Sequence, residues 1–248
     1  MLPRHRGPAR AEGEVSVSAD RLEALIVSLL TSLDAVTGQS NEDAKAASRF
    51  LAFKLDATLH IGDQIREELK TPISSLMGAP DGALKVAHNR GGRFGLYVLV
   101  DAFLFESVSI RDALLQFVNV AFGLGIAENC RSLDKKVRQR LGVTDTSATG
   151  LEEWITPKRY PTWFHRLITL RNTATHRQPV RLPTHITSHL SGTGPDHTIR
   201  VTIERGDGGF DPLDEFIDRT EENVIELLKV SLDRLGVLLA KGGSPSRS

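Results

Sequence analysis

The chain of 248 residues holds one cysteine, Cys130, no excess of either charge and no apolar run of membrane-spanning length. A lone cysteine cannot close an internal disulfide or build a cysteine-rich zinc site, so a reducing, cytoplasmic setting is expected. Lys+Arg and Asp+Glu both number 31, so no global field draws a polyanion to the surface and any nucleic-acid contact has to be local. The start, Met1-Leu2-Pro3-Arg4-His5-Arg6-Gly7-Pro8, is basic but lacks the apolar core of a secretory signal, which again points to a soluble, unsecreted protein. No period of about 20 to 50 residues repeats, which excludes a solenoid. His185, His189 and His197 cluster in sequence without a cysteine or carboxylate at a ligand spacing, so neither a metal nor a cofactor is expected.

What the chain does have is helical periodicity. Residues 1–17 and 242–248 are rich in Pro, Gly, Ser and charge and read as disordered tails. Between them, Leu22, Leu25, Ile26, Leu29, Leu30 and Leu33 recur at spacings of three and four, which predicts an amphipathic helix. A second helix is predicted over 41–69, with Ala47, Phe50, Leu51, Lys54, Leu55, Thr58, Leu59 and Ile61 on its inner face and Thr71-Pro72 as its stop. Residues 78–95 read as a loop, and Asn89-Arg90-Gly91-Gly92-Arg93 lacks the Lys-Ser/Thr end of a phosphate-binding loop. Residues 18–95 thus form an N-terminal helical extension.

The remainder, 96–241, reads as a second unit. A strongly apolar helix spans 96–124, with Ser109, Asp112, Gln116 and Asn119 forming a polar stripe within about 80°. A charged helix follows over 129–141, stopped by Gly142, and its Lys135 and Lys136 are candidates for contact with an RNA backbone. Pro161 opens a helix that reaches about residue 177 and closes at Gln178-Pro179. The alternation in Arg200-Val201-Thr202-Ile203-Glu204 predicts a β-hairpin inserted at about 180–205, pairing residues near 182–188 with 198–204. Asp211-Pro212-Leu213-Asp214 then starts a closing helix along Leu213, Phe216, Ile217, Val224, Leu227, Leu228, Leu235 and Leu238. The fold class is mainly all-α: an antiparallel helical bundle with a small hairpin insertion.

Chemistry concentrates in Arg171-Asn172-Thr173-Ala174-Thr175-His176. On a helix, Phe164, Leu167, Ile168, Ala174 and Thr175 bracket a face with Arg171 at its middle, where a leucine would pack. Asn172 and His176, four apart, stack on the flank beside it. One reading is structural: Arg171 pairs with a buried acid such as Glu106 or Asp112, and His176 places a cation at the helix C-terminus. The other is catalytic. Transphosphorylation of RNA by its own 2′-hydroxyl needs proton transfer, which an imidazole with a pKa near ~6.5 supplies, and stabilisation of charge on the phosphoryl oxygens, which a forked guanidinium supplies.

Arg171-Asn172-Thr173-Ala174-Thr175-His176 resembles the R-N-x-x-x-H signature of the HEPN superfamily of ribonuclease toxins and defence effectors, and the resemblance extends over about 96–240. It implies a metal-independent endoribonuclease, with toxin–antitoxin or antiviral roles. Arg171 and His176 would be catalytic and Asn172 supporting; apart from the resemblance, Arg177 joins Lys135 and Lys136 as a candidate for RNA contact. The resemblance also implies a homodimer whose two motifs line one cleft, products with a 2′,3′-cyclic phosphate and a 5′-hydroxyl, and a cognate antitoxin or regulatory protein. The polar residue that members carry on an earlier core helix corresponds to Glu106 or Asp112. Several toxin members have a tyrosine two residues beyond the histidine; here Gln178 stands there, which puts regulation through that tyrosine in doubt. The alternative is a non-catalytic helical binding or dimerisation module that retains the motif for structure.

Overall fold

The computed structural model describes residues 42–70, 94–125, 161–176, 180–191, 194–205 and 207–241, together with Ala24, Val27, Thr31, Lys136, Gln139 and Arg140. These contain the helices α1 (Glu42–Lys70), α2 (Phe94–Ala121), α3 (Thr162–His176) and α4 (Leu213–Lys241), and one antiparallel sheet of β1 (Thr184–Ser191), β2 (Gly194–Glu204) and β3 (Phe210–Pro212). The protein is therefore mostly helical, with a small three-stranded sheet. Ala24, Val27 and Thr31, and Lys136, Gln139 and Arg140, are helical and exposed, within the two segments where further helices are expected. The two tails, residues 78–93 of the loop expected over 78–95 and the apolar side of the first expected helix lie outside the described residues, while Phe94 and Gly95 belong to α2 and not to that loop.

α1 buries Ala44, Ser48, Leu51, Leu55, Thr58, Gly62 and Ile65, a strict alternation of four and three that makes one narrow seam. Four of these seven side chains are small, so backbones can approach closely along it. The seam departs from the expected inner face at Phe50, which is 42% exposed because it sits one position off the heptad. The Lys54 ammonium lies 5.4 Å from the Phe50 ring centre and 5.8 Å from that of Phe105 on α2. It also pairs with Glu106 at 2.8 Å, tying α1 to α2 where both side chains are largely shielded from water.

Two apolar clusters stack along the bundle. One joins Leu51 and Leu55 of α1 to Leu114, Phe117 and Val118 of α2 and Val224, Leu228 and Leu235 of α4. The other joins Ile65, the first half of α2 (Leu96, Val100, Phe103, Leu104), Phe164 and Leu167 of α3, Val201 and Ile203 of β2, and Leu213 and Ile217 of α4. α2 runs through both. Trp163, at the start of α3, touches both clusters, whereas Ala174 near its end touches only the second. The helices therefore alternate in direction, and α3 runs antiparallel to α2 toward the end of the molecule that carries the sheet.

Element ends follow local chemistry. The Pro161 carbonyl accepts the first bonds of α3, from Phe164 and His165, both at 3.0 Å. α2 stops where Gly123 takes φ 56° and the Leu124 amide bonds the Asn119 carbonyl at 3.0 Å, a Schellman cap. β1 and β2 pair with Thr184 opposite Val201 and Ser191 opposite Gly194, joining the segments expected to form the hairpin. β3 is unforeseen: Phe210, Asp211 and Pro212 pair with Glu204, Ile203 and Thr202, so Asp211-Pro212 belongs to a strand and α4 begins at Leu213. The turn between β2 and β3 closes through Arg205 N–H to the Gly209 carbonyl at 2.8 Å, with Gly208 at φ 84°. Among the described residues no helix is long and apolar enough to cross a membrane.

Candidate functional site

α3 presents its motif as the periodicity implies, with refinements. Phe164 and Leu167 are buried, Ile168 and Ala174 half-buried, and Thr175 is exposed with its hydroxyl donating to the Arg171 carbonyl at 2.8 Å. Arg171 is half-buried, and its Nε is sealed from solvent with no hydrogen-bond partner. Asn172 is exposed. His176 is the last residue of α3; its side chain lies outside the described residues, as do Arg177 and Lys135. Lys136 is exposed on a helical segment.

The two acids expected opposite the motif are engaged elsewhere. Glu106 accepts from Lys54 at 2.8 Å and from the Ser109 hydroxyl at 3.3 Å, because its position on α2 turns toward α1. Asp112 is bound by the guanidinium of its neighbour Arg111. Among the described residues, neither forms an ion pair with Arg171. Glu106 is thus a structural tie: Glu106→Ala, which strands Lys54, is expected to cost about 2 kcal/mol in urea unfolding. If no loss is seen, the tie contributes nothing to stability.

A different carboxylate stands out. Asp101 on α2 has Oδ1 buried without a hydrogen-bond partner, and burial raises its pKa above the usual carboxylate value. Asp101 lies between Val100 and Phe103 on α2, and Arg171 between Leu170 and Ala174 on α3, and these four neighbours all belong to or pack against the second cluster. The same end of the molecule therefore carries a buried unpaired acceptor on one helix and a buried unpaired donor on its neighbour. The sequence holds the signal: Asp101 is the one charged residue in Phe94-Gly95-Leu96-Tyr97-Val98-Leu99-Val100-Asp101-Ala102-Phe103-Leu104, as Arg171 is the cation on an apolar face.

The opposite side of α3 lines a cavity of about 900 Å³, bounded by Thr169 and Thr173, by Arg181 in the segment before β1, by the β2–β3 turn and by the first turns of α4. Its wall is built by Arg166, which bonds Asp211 at 2.6 Å and the Glu204 carbonyl at 2.9 Å while stacking 4.8 Å over Phe216. One helix thus shows an apolar face interrupted by Arg171 and, behind it, a hollow of mixed polar and apolar lining edged with arginines. Among the described residues no group of three His, Cys, Asp or Glu side chains is placed to hold a metal ion. No protein-family model, no curated protein and no solved structure matches the chain.

Proposed function

We propose that this chain is a metal-independent endoribonuclease of HEPN type, cleaving RNA through Arg171, Asn172 and His176 at a composite site formed by two copies of the bundle. The observation that carries this reading is the state of Arg171. A guanidinium set in an apolar helix face costs stability unless something neutralises it, yet its Nε has no internal partner and the expected acids are bound elsewhere. A side chain kept at that cost suits a ligand arriving from outside, and a phosphodiester matches its fork. The structural alternative pairs Arg171 with a buried acid such as Glu106 or Asp112, and these two acids pair instead with Lys54 and Arg111.

In the proposed reaction the 2′-oxygen attacks the adjacent phosphorus and loses its proton to a neutral imidazole. The P–O5′ bond breaks as the 5′-oxygen receives a proton from an imidazolium. One His176 cannot be base and acid in the same step, and two copies provide the pair, which is why the site needs a homodimer. Arg171 offsets negative charge on the non-bridging oxygens, and Asn172, exposed one residue on, is placed to hydrogen-bond the same strand. We assign the protein to the cytoplasm, in a toxin–antitoxin or antiviral setting with a regulatory partner, as the HEPN resemblance implies.

The test is cleavage of single-stranded RNA by purified protein in EDTA. Fragments ending in 2′,3′-cyclic phosphate and 5′-hydroxyl are expected, with a loss on the order of a hundredfold or more in His176→Gln and no loss in Glu106→Ala. Equal cutting by wild type and His176→Gln would sink the reading.

A further inference from the structure

The arginine-edged cavity behind α3 has no part in the proposed chemical step, yet it shares the helix. Thr169 and Thr173 line it, and the backbone of position 176 completes their stripe at spacings of four and three, about 10 Å beyond Thr169. Its charged lining is Arg166, Arg181, Arg205 and Arg219 against Glu204, Asp207 and Asp211; Asp211 is neutralised by Arg166 at 2.6 Å, and Asp207 by Arg205 at 3.5 Å together with the Gly209 amide at 2.8 Å. Arg181 is exposed at the rim, and among the described residues it has no partner. The hollow therefore presents a surplus cation, with threonine hydroxyls leading from it along α3 to the motif.

We infer that this cavity is a subsite for the single-stranded RNA on one side of the cleaved bond, with Arg181 contacting a phosphate of the strand that continues to the end of α3. The inference rests on the reading of the chain as an RNA-cleaving protein. Local cation excess supplies backbone affinity that a chain of zero net charge lacks globally. Arg166, whose two terminal nitrogens bond Asp211 and the Glu204 carbonyl, shapes the pocket, whereas Arg181 is an exposed guanidinium with no partner among the described residues.

The probe is a fluorescent 2′-O-methyl oligoribonucleotide, which lacks the attacking hydroxyl and reports binding without cleavage. Anisotropy titrations at several salt concentrations compare wild type, Arg181→Glu and, as a matched charge control, Arg49→Glu on the exposed side of α1. Arg181→Glu is expected to weaken binding about tenfold and to lower the slope of log K against log salt by roughly 0.7, the loss of one single-strand phosphate contact. Arg49→Glu should change neither. Unaltered affinity in Arg181→Glu, an equal effect in both variants, or no binding by wild type overturns the subsite. Cleavage of all-RNA substrate is read separately: Arg181-dependent binding without cleavage supports the subsite and rejects the catalytic reading, and cleavage with Arg181-independent binding does the reverse.

Discussion

Arg171→Leu is expected to melt above the wild type while cutting RNA on the order of a hundred- to a thousandfold more slowly. The two halves of this result have one origin. The Arg171 Nε is buried and unbonded on a face that includes buried Phe164 and Leu167 and half-buried Ala174. Leaving a buried donor unmade costs roughly 1–3 kcal/mol, and a leucine there removes that cost and adds apolar contact, a net gain of about 1–2 kcal/mol and a few degrees in Tm. The same guanidinium is the only described motif side chain able to meet phosphoryl oxygens with a fork of donors, and removing such a group typically costs a factor of about 10² to 10³ in rate. Arg171→Lys should recover little, since a point charge cannot reproduce two parallel bonds. Calorimetry and initial rates on the same preparations check both halves. A fall in stability together with activity would instead mean that Arg171 is held by a structural partner.

Arg66→Ala carries the second large effect, a loss of about 3 kcal/mol at pH 8 that shrinks on acidification. Arg66 donates to Glu221 at 2.6 Å, Asp218 at 2.8 Å and Asp63 at 2.8 Å, joining α1 to α4. Glu221 is 1% exposed, so removing its cation leaves an uncompensated charge in the interior. Burial works against the charge of Arg66, but its bonds and proximity to Glu221 and Asp218 outweigh this and raise its pKa. For Glu221 the balance is the reverse: burial pushes the carboxyl up to about 7, while Arg66 pulls against it. The folded protein then holds a proton that the unfolded chain releases near 4.5, so stability from this group is lost as pH rises between about 4.5 and 7. Urea midpoints at pH 5 and pH 8 should diverge for wild type, and Glu221→Gln should remove this part of the divergence. Identical profiles for wild type and Glu221→Gln would show that the carboxyl does not titrate there. Gly62 belongs to the same arrangement: a Cβ on it would lie 2.0 Å from Glu221 Oε1, so the glycine makes room for the buried acid.

The parts legible in the sequence are those set by neighbours in the chain. Pro161 marks the start of α3, the three-and-four spacing marks the buried faces of α1 and α4, and alternation marks β2, because capping and amphipathicity act within a few residues. Contacts across the chain were hidden. Lys54 reaches Glu106 over 52 positions and Arg66 reaches Glu221 over 155, and nothing local in either member names the other. β3 is three residues whose strand character comes entirely from β2. At the candidate site, the placement of Arg171 on an apolar face follows from period alone. Its lack of a partner, the buried Oδ1 of Asp101 and the hollow behind α3 depend on how helices stack.

The Arg66 clamp also dictates when the fold can close. α4 is the last described element, and it supplies Val224, Leu228 and Leu235 to one cluster and Leu213, Phe216 and Ile217 to the other. A chain leaving the ribosome therefore completes neither cluster until α4 has emerged, while α1, made earlier, has only Asp63 of its own helix to pair Arg66 until Asp218 and Glu221 follow. Such distant contacts raise contact order and slow assembly even for a helical protein. Under the proposed ribonuclease reading, this order of events delays assembly of the cutting surface until α4 is made.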